Sequence, residues 1–213
     1  MRSEIDHIVE LAEAEDPFSN LDEIEDRFEF LWNFVEEHNE GEEAHVFPTL
    51  NVLSCNISEP FIWDHNEERE TFEETRDLVR RVKATRDTAD MQRLRSNLIG
   101  LRTSLHTHSK KEDQILLPML FEGASPQEQG EMVGRIVDPK PPEQLMQELA
   151  WFMPSLTMDE RADFLTVIKQ GMDMNAPPGA FDAAMDTVSM VVSKEEMDEL
   201  RSRLTSVQAP TQG

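Results

Sequence analysis

Cysteine is all but missing from this chain. Cys55 stands alone among 213 residues, which excludes an internal disulfide and any cysteine-rich zinc module. Whatever chemistry is carried must therefore use nitrogen and oxygen donors. Basic residues are also scarce, 20 Lys and Arg against 44 Asp and Glu, and the net charge of −24 excludes nucleic acid as a partner because no basic stripe offsets it. That charge reads as a well-solvated surface, as attraction for cations, or as adaptation to high salt, since Arg outnumbers Lys. No stretch approaches the roughly 18 consecutive apolar residues that a membrane helix needs. The first residues, with Glu4, Asp6 and Glu10, lack the basic and apolar regions of a signal peptide. A soluble, cytoplasmic protein with no membrane partner is the expectation. Alternating strand patterns are missing too, so the class is all-α.

What is present is helical periodicity. A short helix is predicted over residues 2–15, ended by Asp16-Pro17, and a second from Asn20, with Glu23 placed for a capping box, to about Glu43 or the Pro48 stop. A third runs from Ser58-Glu59-Pro60 to about Arg86, and a fourth from Asp87 to Leu120–Gly123. Short connections make these an up-and-down four-helix bundle over residues 1–123. A smaller helical region follows over 124–206, with amphipathic stretches near 143–153, 158–171, 180–192 and 194–204, breaks at Asp138-Pro139-Lys140-Pro141-Pro142 and at Asn175-Ala176-Pro177-Pro178-Gly179, and no histidine. Residues 207–213 read as a disordered tail.

Two segments of the bundle carry the same device. His38-Asn39-Glu40-Gly41-Glu42, closed by Pro48, is matched 70 positions later by His108-Ser109-Lys110-Lys111-Glu112, closed by Pro118. Each His-x-x-x-Glu unit continues an apolar stripe: Leu21, Ile24, Phe28, Leu31, Val35 before the first, and Met91, Leu94, Leu98, Leu101, Leu105 before the second. Residues three and four apart share a helix face, so these side chains point into the core. The third helix has its own seam through Phe61, His65, Glu68, Phe72, Thr75 and Val79.

Helix lengths place several of these groups at one level. His65 precedes the end of its helix, and His108 follows the start of its own, by about 30 Å each. His38 near the end of the second helix meets His65 near the start of the third. His7 belongs to the same end of the bundle, but it has only about 12 Å of helix to set against about 27 Å between Asn20 and His38. Residues Asp16 to Ser19 would have to run extended to close that gap.

Buried ionisable groups are costly unless neutralised, and a metal is the simplest neutraliser for imidazoles and carboxylates gathered from separate helices. Taken singly, each histidine reads as a hydrogen-bonded core residue; together they read as ligands. The candidate set is His7, His38, Glu42, His65, His108 and Glu112, with the carboxylates bridging two ions and the histidines capping each. Iron suits these donors best, and manganese or zinc less well. Glu68 is either a further oxygen ligand or an acceptor for an imidazole N–H. His45 and Ile115 continue the two stripes inward, a turn below the site. His106 faces out, and Glu43 and Asp113 read as solvated rim charges. Phe28 is core, Trp32 and Phe34 pack the flanks, and Cys55 has no assigned role.

The pattern of His7, His38 with Glu42 and Val46-Phe47-Pro48, Asp64-His65, and His108 with Glu112 and Leu117-Pro118 resembles the hemerythrin (HHE cation-binding) family over residues 1–123. Arg27-Phe28-Glu29-Phe30-Leu31-Trp32, Asp64-His65-Asn66-Glu67-Glu68, Gln129-Gly130-Glu131-Met132-Val133-Gly134-Arg135-Ile136, Trp151 and Leu156-Thr157-Met158-Asp159-Glu160 are similar to the hemerythrin modules of BRUTUS-type iron-responsive proteins. The resemblance implies a hemerythrin-like fold and a non-haem di-iron centre that binds dioxygen or a related diatomic or peroxide ligand. The same six residues carry over as its ligands. Oxygen carriers of the family have another histidine four residues after the one matching His65; Arg69 stands there instead. Three functions follow as expectations: iron or oxygen binding or sensing; a di-iron oxidase or peroxidase-type enzyme; or a metal-free helical module whose Met-rich C-terminal helices bind a protein partner.

Overall fold

The structure, a computed structural model, describes residues 2–137, 141–175 and 177–206. The expected tail at 207–213 and part of both expected chain breaks lie outside the described residues. The chain divides into two compact units, Met1–Ala124 and Ser125–Gly213. Among the described residues there is no strand.

The first unit is built on α1 (Arg2–Glu13), α2 (Leu21–Gly41), α3 (Phe47–Leu53), α4 (Glu59–Thr85), α5 (Thr88–Lys111) and α6 (Leu117–Gly123). Neighbouring pairs α1 with α2, α2 with α4, α4 with α5 and α5 with α1 close a four-helix ring. The stripes expected from the sequence fill its axis: Ile24, Leu31, Leu94, Leu98 and Leu101 have no exposed surface. Phe28 and Phe72 pack with ring centroids 5.4 Å apart, and Trp32 packs on Phe72 at 4.6 Å.

The α4–α5 turn has a clear local cause. Arg86 adopts a left-handed conformation (φ 52°) that ends α4, and the Asp87 side chain accepts the Asp90 N–H at 2.9 Å to start α5. Two residues of connection force the helices antiparallel and set His65 beside His108.

Neither Pro48 nor Pro118 stops its helix. α2 passes into α3 through a π-turn at Glu42–Val46, and α5 into α6 through another at Glu112–Leu116. In each the residue before the proline reaches back five positions, Phe47 N–H to Glu42 O and Leu117 N–H to Glu112 O. Proline has no N–H to give the carbonyl four residues back, so the regular ladder is already broken there, and the wider turn takes up the fault.

The extra residue per turn rotates everything after it. Val46, Phe47 and Leu116 are buried, whereas His45 is half-buried and Ile115 is 44% exposed. The expected inward places of His45 and Ile115 are thus corrected.

The second unit comprises α7 (Pro126–Val137), α8 (Pro142–Phe152), α9 (Met158–Asn175), α10 (Ala180–Val191) and α11 (Lys194–Ser206). Leu145, Leu149, Met153, Leu165, Val188 and Leu200 form its centre, joined by Met185 and Met197. Those methionines fill the unit's own core, which accounts for much of the Met-rich pattern without a partner. Three helices begin with reciprocal capping boxes, Ser125 with Glu128, Thr157 with Glu160 and Ser193 with Glu196. The buried Arg161 guanidinium donates to the carbonyls of Met153 (2.8 Å) and Pro154 (3.1 Å) and to Glu196 (2.8 Å), tying α9 to α11.

Candidate metal centre

Each π-turn begins on a site glutamate, so Glu42 and Glu112 occupy matching positions on two helices that run the same way. With His65 from α4 and His108 from α5 they form a buried group whose donor atoms all lie within 4.8 Å of one another. His65 and His108 face each other through Nε2 at 3.2 Å. Glu112 Oε1 lies 2.8 Å from His108 Nε2, and Glu42 Oε2 lies 3.6 Å from His65 Nε2. His38 approaches from the other side, its Nε2 3.5 Å from Glu112 and 3.7 Å from Glu42. Metal–ligand bonds of about 2.0–2.2 Å put neighbouring donors around one ion about 3 Å apart, and these separations fit that spacing.

The polar atoms here are under-satisfied. His38 Nε2, Glu42 Oε2 and Glu112 Oε1 are sealed from solvent and have no hydrogen-bond partner of sound geometry. Buried orphan groups are rare because each forfeits its hydration without return. Three such atoms converging on one point, all of a type that ligates transition metals, fit a cation held between them.

Protonation tells the same story. Burial pushes the imidazoles of His38 and His108 down, yet Glu42 and Glu112 beside the first, and Glu112, Glu68 and Asp64 beside the second, outweigh it and lift both to about 9. Burial and the neighbouring charge of His108 push His65 the opposite way, against the pull of Glu43. Burial raises Glu42, while His108 and His38 overcome burial to hold Glu112 well below the ordinary carboxylate range. The carboxylates thus favour positive charge at this point of the core, with His108 Nε2 nearest to Glu112 Oε1 at 2.8 Å.

The remaining ring nitrogens are held by carboxylates. His65 Nδ1–H donates to Glu43 at 2.8 Å, and Glu43 is in turn held by Arg69 at 3.0 Å, whose guanidinium also pairs with Glu36 at 2.9 Å. His108 Nδ1–H donates to Asp64 at 3.2 Å, and Lys111 donates to the same carboxylate. Such contacts fix the tautomer so that both Nε2 lone pairs face the site. Phe47 stacks on His65 at 5.5 Å and Phe61 meets His108 edge-on at 6.2 Å, giving the imidazoles an apolar backing.

Five of the six expected ligands are therefore brought together. His7 is not. The linker does not run extended but coils into a 3-10 turn at Pro17–Asn20, while Arg27 pairs with Glu4 at 2.9 Å and Asn20 bonds the Leu11 carbonyl at 3.1 Å. His38 lies eleven residues beyond Arg27, about 16 Å along the helix. His7 sits at the opposite part of α2, its half-exposed ring 3.6 Å from both Glu10 and Glu23.

The supporting carboxylates are not evident from the helix pattern. Glu43 is no solvated rim charge, and Asp64 and Lys111 were given no role. Asp64 directly before His65, and Glu43 directly after Glu42, were the available signals. His106 behaves as expected, partly exposed and 3.5 Å from Asp6.

Comparison with known proteins agrees with this geometry. The Hemerythrin HHE cation binding domain family matches residues 1–120. The chain is 25% identical over 147 residues to "Zinc finger protein BRUTUS" of Arabidopsis thaliana, an alignment covering 69% of this chain and 12% of that relative. The chain thus spans only about an eighth of that relative's length. No solved structure matches. No helix among the described residues is long and apolar enough to cross a membrane.

Proposed function

The chain belongs to the hemerythrin HHE cation-binding family, and on that premise we propose that its first unit holds a non-haem di-iron centre used to bind or sense iron or oxygen. The observation that supports it most is the convergence of buried donor atoms from Glu42, His65, His108 and Glu112 within 4.8 Å of one another, beside the unpartnered His38 Nε2 and Glu42 Oε2. Glu42 and Glu112, each approached by two histidines, would supply the carboxylate oxygens to both ions. His65 and His108 would serve one ion and His38 the other. Mixed imidazole and carboxylate donors favour iron over magnesium or calcium, and the lack of thiolate disfavours a structural zinc site.

Two iron ions in such a centre supply open coordination positions and redox equivalents for dioxygen or a related small oxidant. The chain's own contribution is to orient the imidazoles through Glu43 and Asp64, to back them with Phe47 and Phe61, and to keep bulk water out. His7 is left out of the ligand set because its ring is held between Glu10 and Glu23. Whole-protein properties of BRUTUS are not carried over, since the chain matches a small part of it.

The test is metal analysis of the full chain loaded anaerobically with Fe(II) and freed of loose metal. About two irons per chain are expected, with a melting temperature raised by metal through mass action. A chain that retains less than one iron overturns the reading. The double variant His38→Ala, His108→Ala should lose both the metal and the metal-dependent gain in melting temperature.

A further inference from the structure

Beside the cluster lies a buried carboxylate that the proposed ligand set does not use. Glu68 is 1% exposed and sits on α4 three residues after His65, hence on the same helix face. Its Oε1 accepts from the Ser104 hydroxyl at 3.4 Å, the long limit of a hydrogen bond, and its Oε2 is sealed from solvent with no partner. Among the described residues no lysine or arginine pairs with it. The ionisable groups that act on it are His108, Glu112 and Asp64, which are two members of the cluster and one of its supports.

A buried carboxylate escapes its desolvation cost by keeping a proton or by facing a cation. Ser104, at 3.4 Å, engages Oε1 alone. That leaves the unpartnered Oε2 unexplained. A cation explains it.

The helix surface around His65 adds a second reason. Arg69, one position further on, turns outward to Glu36 and Glu43. The inward face of that turn belongs to Glu68, and below it Phe72 and Thr75 return the stripe to ordinary core. We infer that Glu68 is a further oxygen ligand of the centre, serving the cation position nearest His65 and His108. This inference rests on the di-iron reading. It also improves the charge balance: two divalent ions bring four positive charges into an oily interior, Glu42 and Glu112 cancel two, and Glu68 cancels a third.

The experiment compares wild-type full chain with Glu68→Gln, which keeps the shape and removes the charge, and with Glu68→Asp. Each is loaded anaerobically with Fe(II), challenged with a graded chelator, and analysed for metal. Co(II)-loaded samples are examined by visible absorption, which reports the number and type of donors. The expected result is that E68Q loses one of its two ions at about tenfold lower chelator concentration than wild type and alters the Co(II) spectrum. E68D should fall between them. The metal-free E68Q protein should melt no lower than metal-free wild type, since the amide keeps the shape of the side chain and no ion pair with Lys or Arg is lost. Wild type and E68Q that both hold two ions with equal chelator resistance and identical Co(II) spectra overturn the ligand role of Glu68 while leaving the di-iron reading intact. Wild type that holds no metal overturns both. Should E68Q misfold, E68D with two ions and an unchanged Co(II) spectrum overturns the inference, and a shifted spectrum supports it.

Discussion

His65 and His108 point their Nε2 atoms at each other across 3.2 Å, from antiparallel helices, while the opposite nitrogen of each ring is held by a carboxylate. Two imidazoles gain nothing from this arrangement by themselves. One proton can bridge them, and a cation can use both lone pairs.

The supports should therefore control metal affinity. Glu43→Gln, which weakens the acceptor at His65 Nδ1, is expected to lower iron affinity about 10- to 100-fold while leaving helix content unchanged. Chelator competition followed by circular dichroism checks both halves.

Arg69 acts one step further out, on Glu43 and Glu36. Arg69→Ala should weaken iron binding less than E43Q does, because Glu43 still reaches His65 without it. The reverse order in the same competition would show that Arg69 touches the centre in some other way.

The bundle core is separable from the metal. Phe72 is buried against Phe28 and Trp32, and Phe72→Ala should cost about 3–5 kcal/mol in chemical denaturation of the metal-free chain. The folded fraction should still bind metal with wild-type stoichiometry.

In the second unit, Arg161 satisfies two carbonyls and Glu196 at once. Arg161→Ala should destabilise that unit by about 2–3 kcal/mol, since the carbonyls lose their donor. Arg161→Lys should recover little, because the three acceptors are met by three separate guanidinium nitrogens and the single ammonium nitrogen cannot span them. Trp151 fluorescence in a Trp32→Phe, Trp63→Phe background reports this unit alone.

Acid should loosen the same corner. The Ser193 backbone N–H, Arg161 and the Ser193 hydroxyl hold the Glu196 carboxyl down to about 2, from an ordinary 4.5. A depressed value means the fold favours the ionised form. Its contribution is present above pH 4.5 and is lost as the pH falls toward 2. Glu196→Gln should flatten the Trp151-monitored stability profile over that interval.

Much of this was legible in the residues because helical periodicity converts directly into a face. The stripes through Leu31 and Leu98, the repeat of His38–Glu42 in His108–Glu112, and the two-residue turn at Arg86-Asp87 each rest on local rules. Local rules fail where the chain departs from 3.6 residues per turn or where a side chain's partner comes from another helix. The first kind of failure accounts for His45 and Ile115; the second accounts for Glu43, read as a rim charge, and for Asp64, to which the sequence assigns no role. His7 was misplaced because linker conformation depends on tertiary contacts such as Glu4 with Arg27.

By itself the sequence determined the helices, the inward stripes and the donor types, since each follows from the order of apolar and ionisable residues along a single helix. Only the tertiary structure decided which donors share a site and which carboxylates steady the imidazoles. It also decided that His7 stays at the surface. Those outcomes depend on helix register and π-turn rotation, which are set by packing between helices and not by the sequence of any one of them.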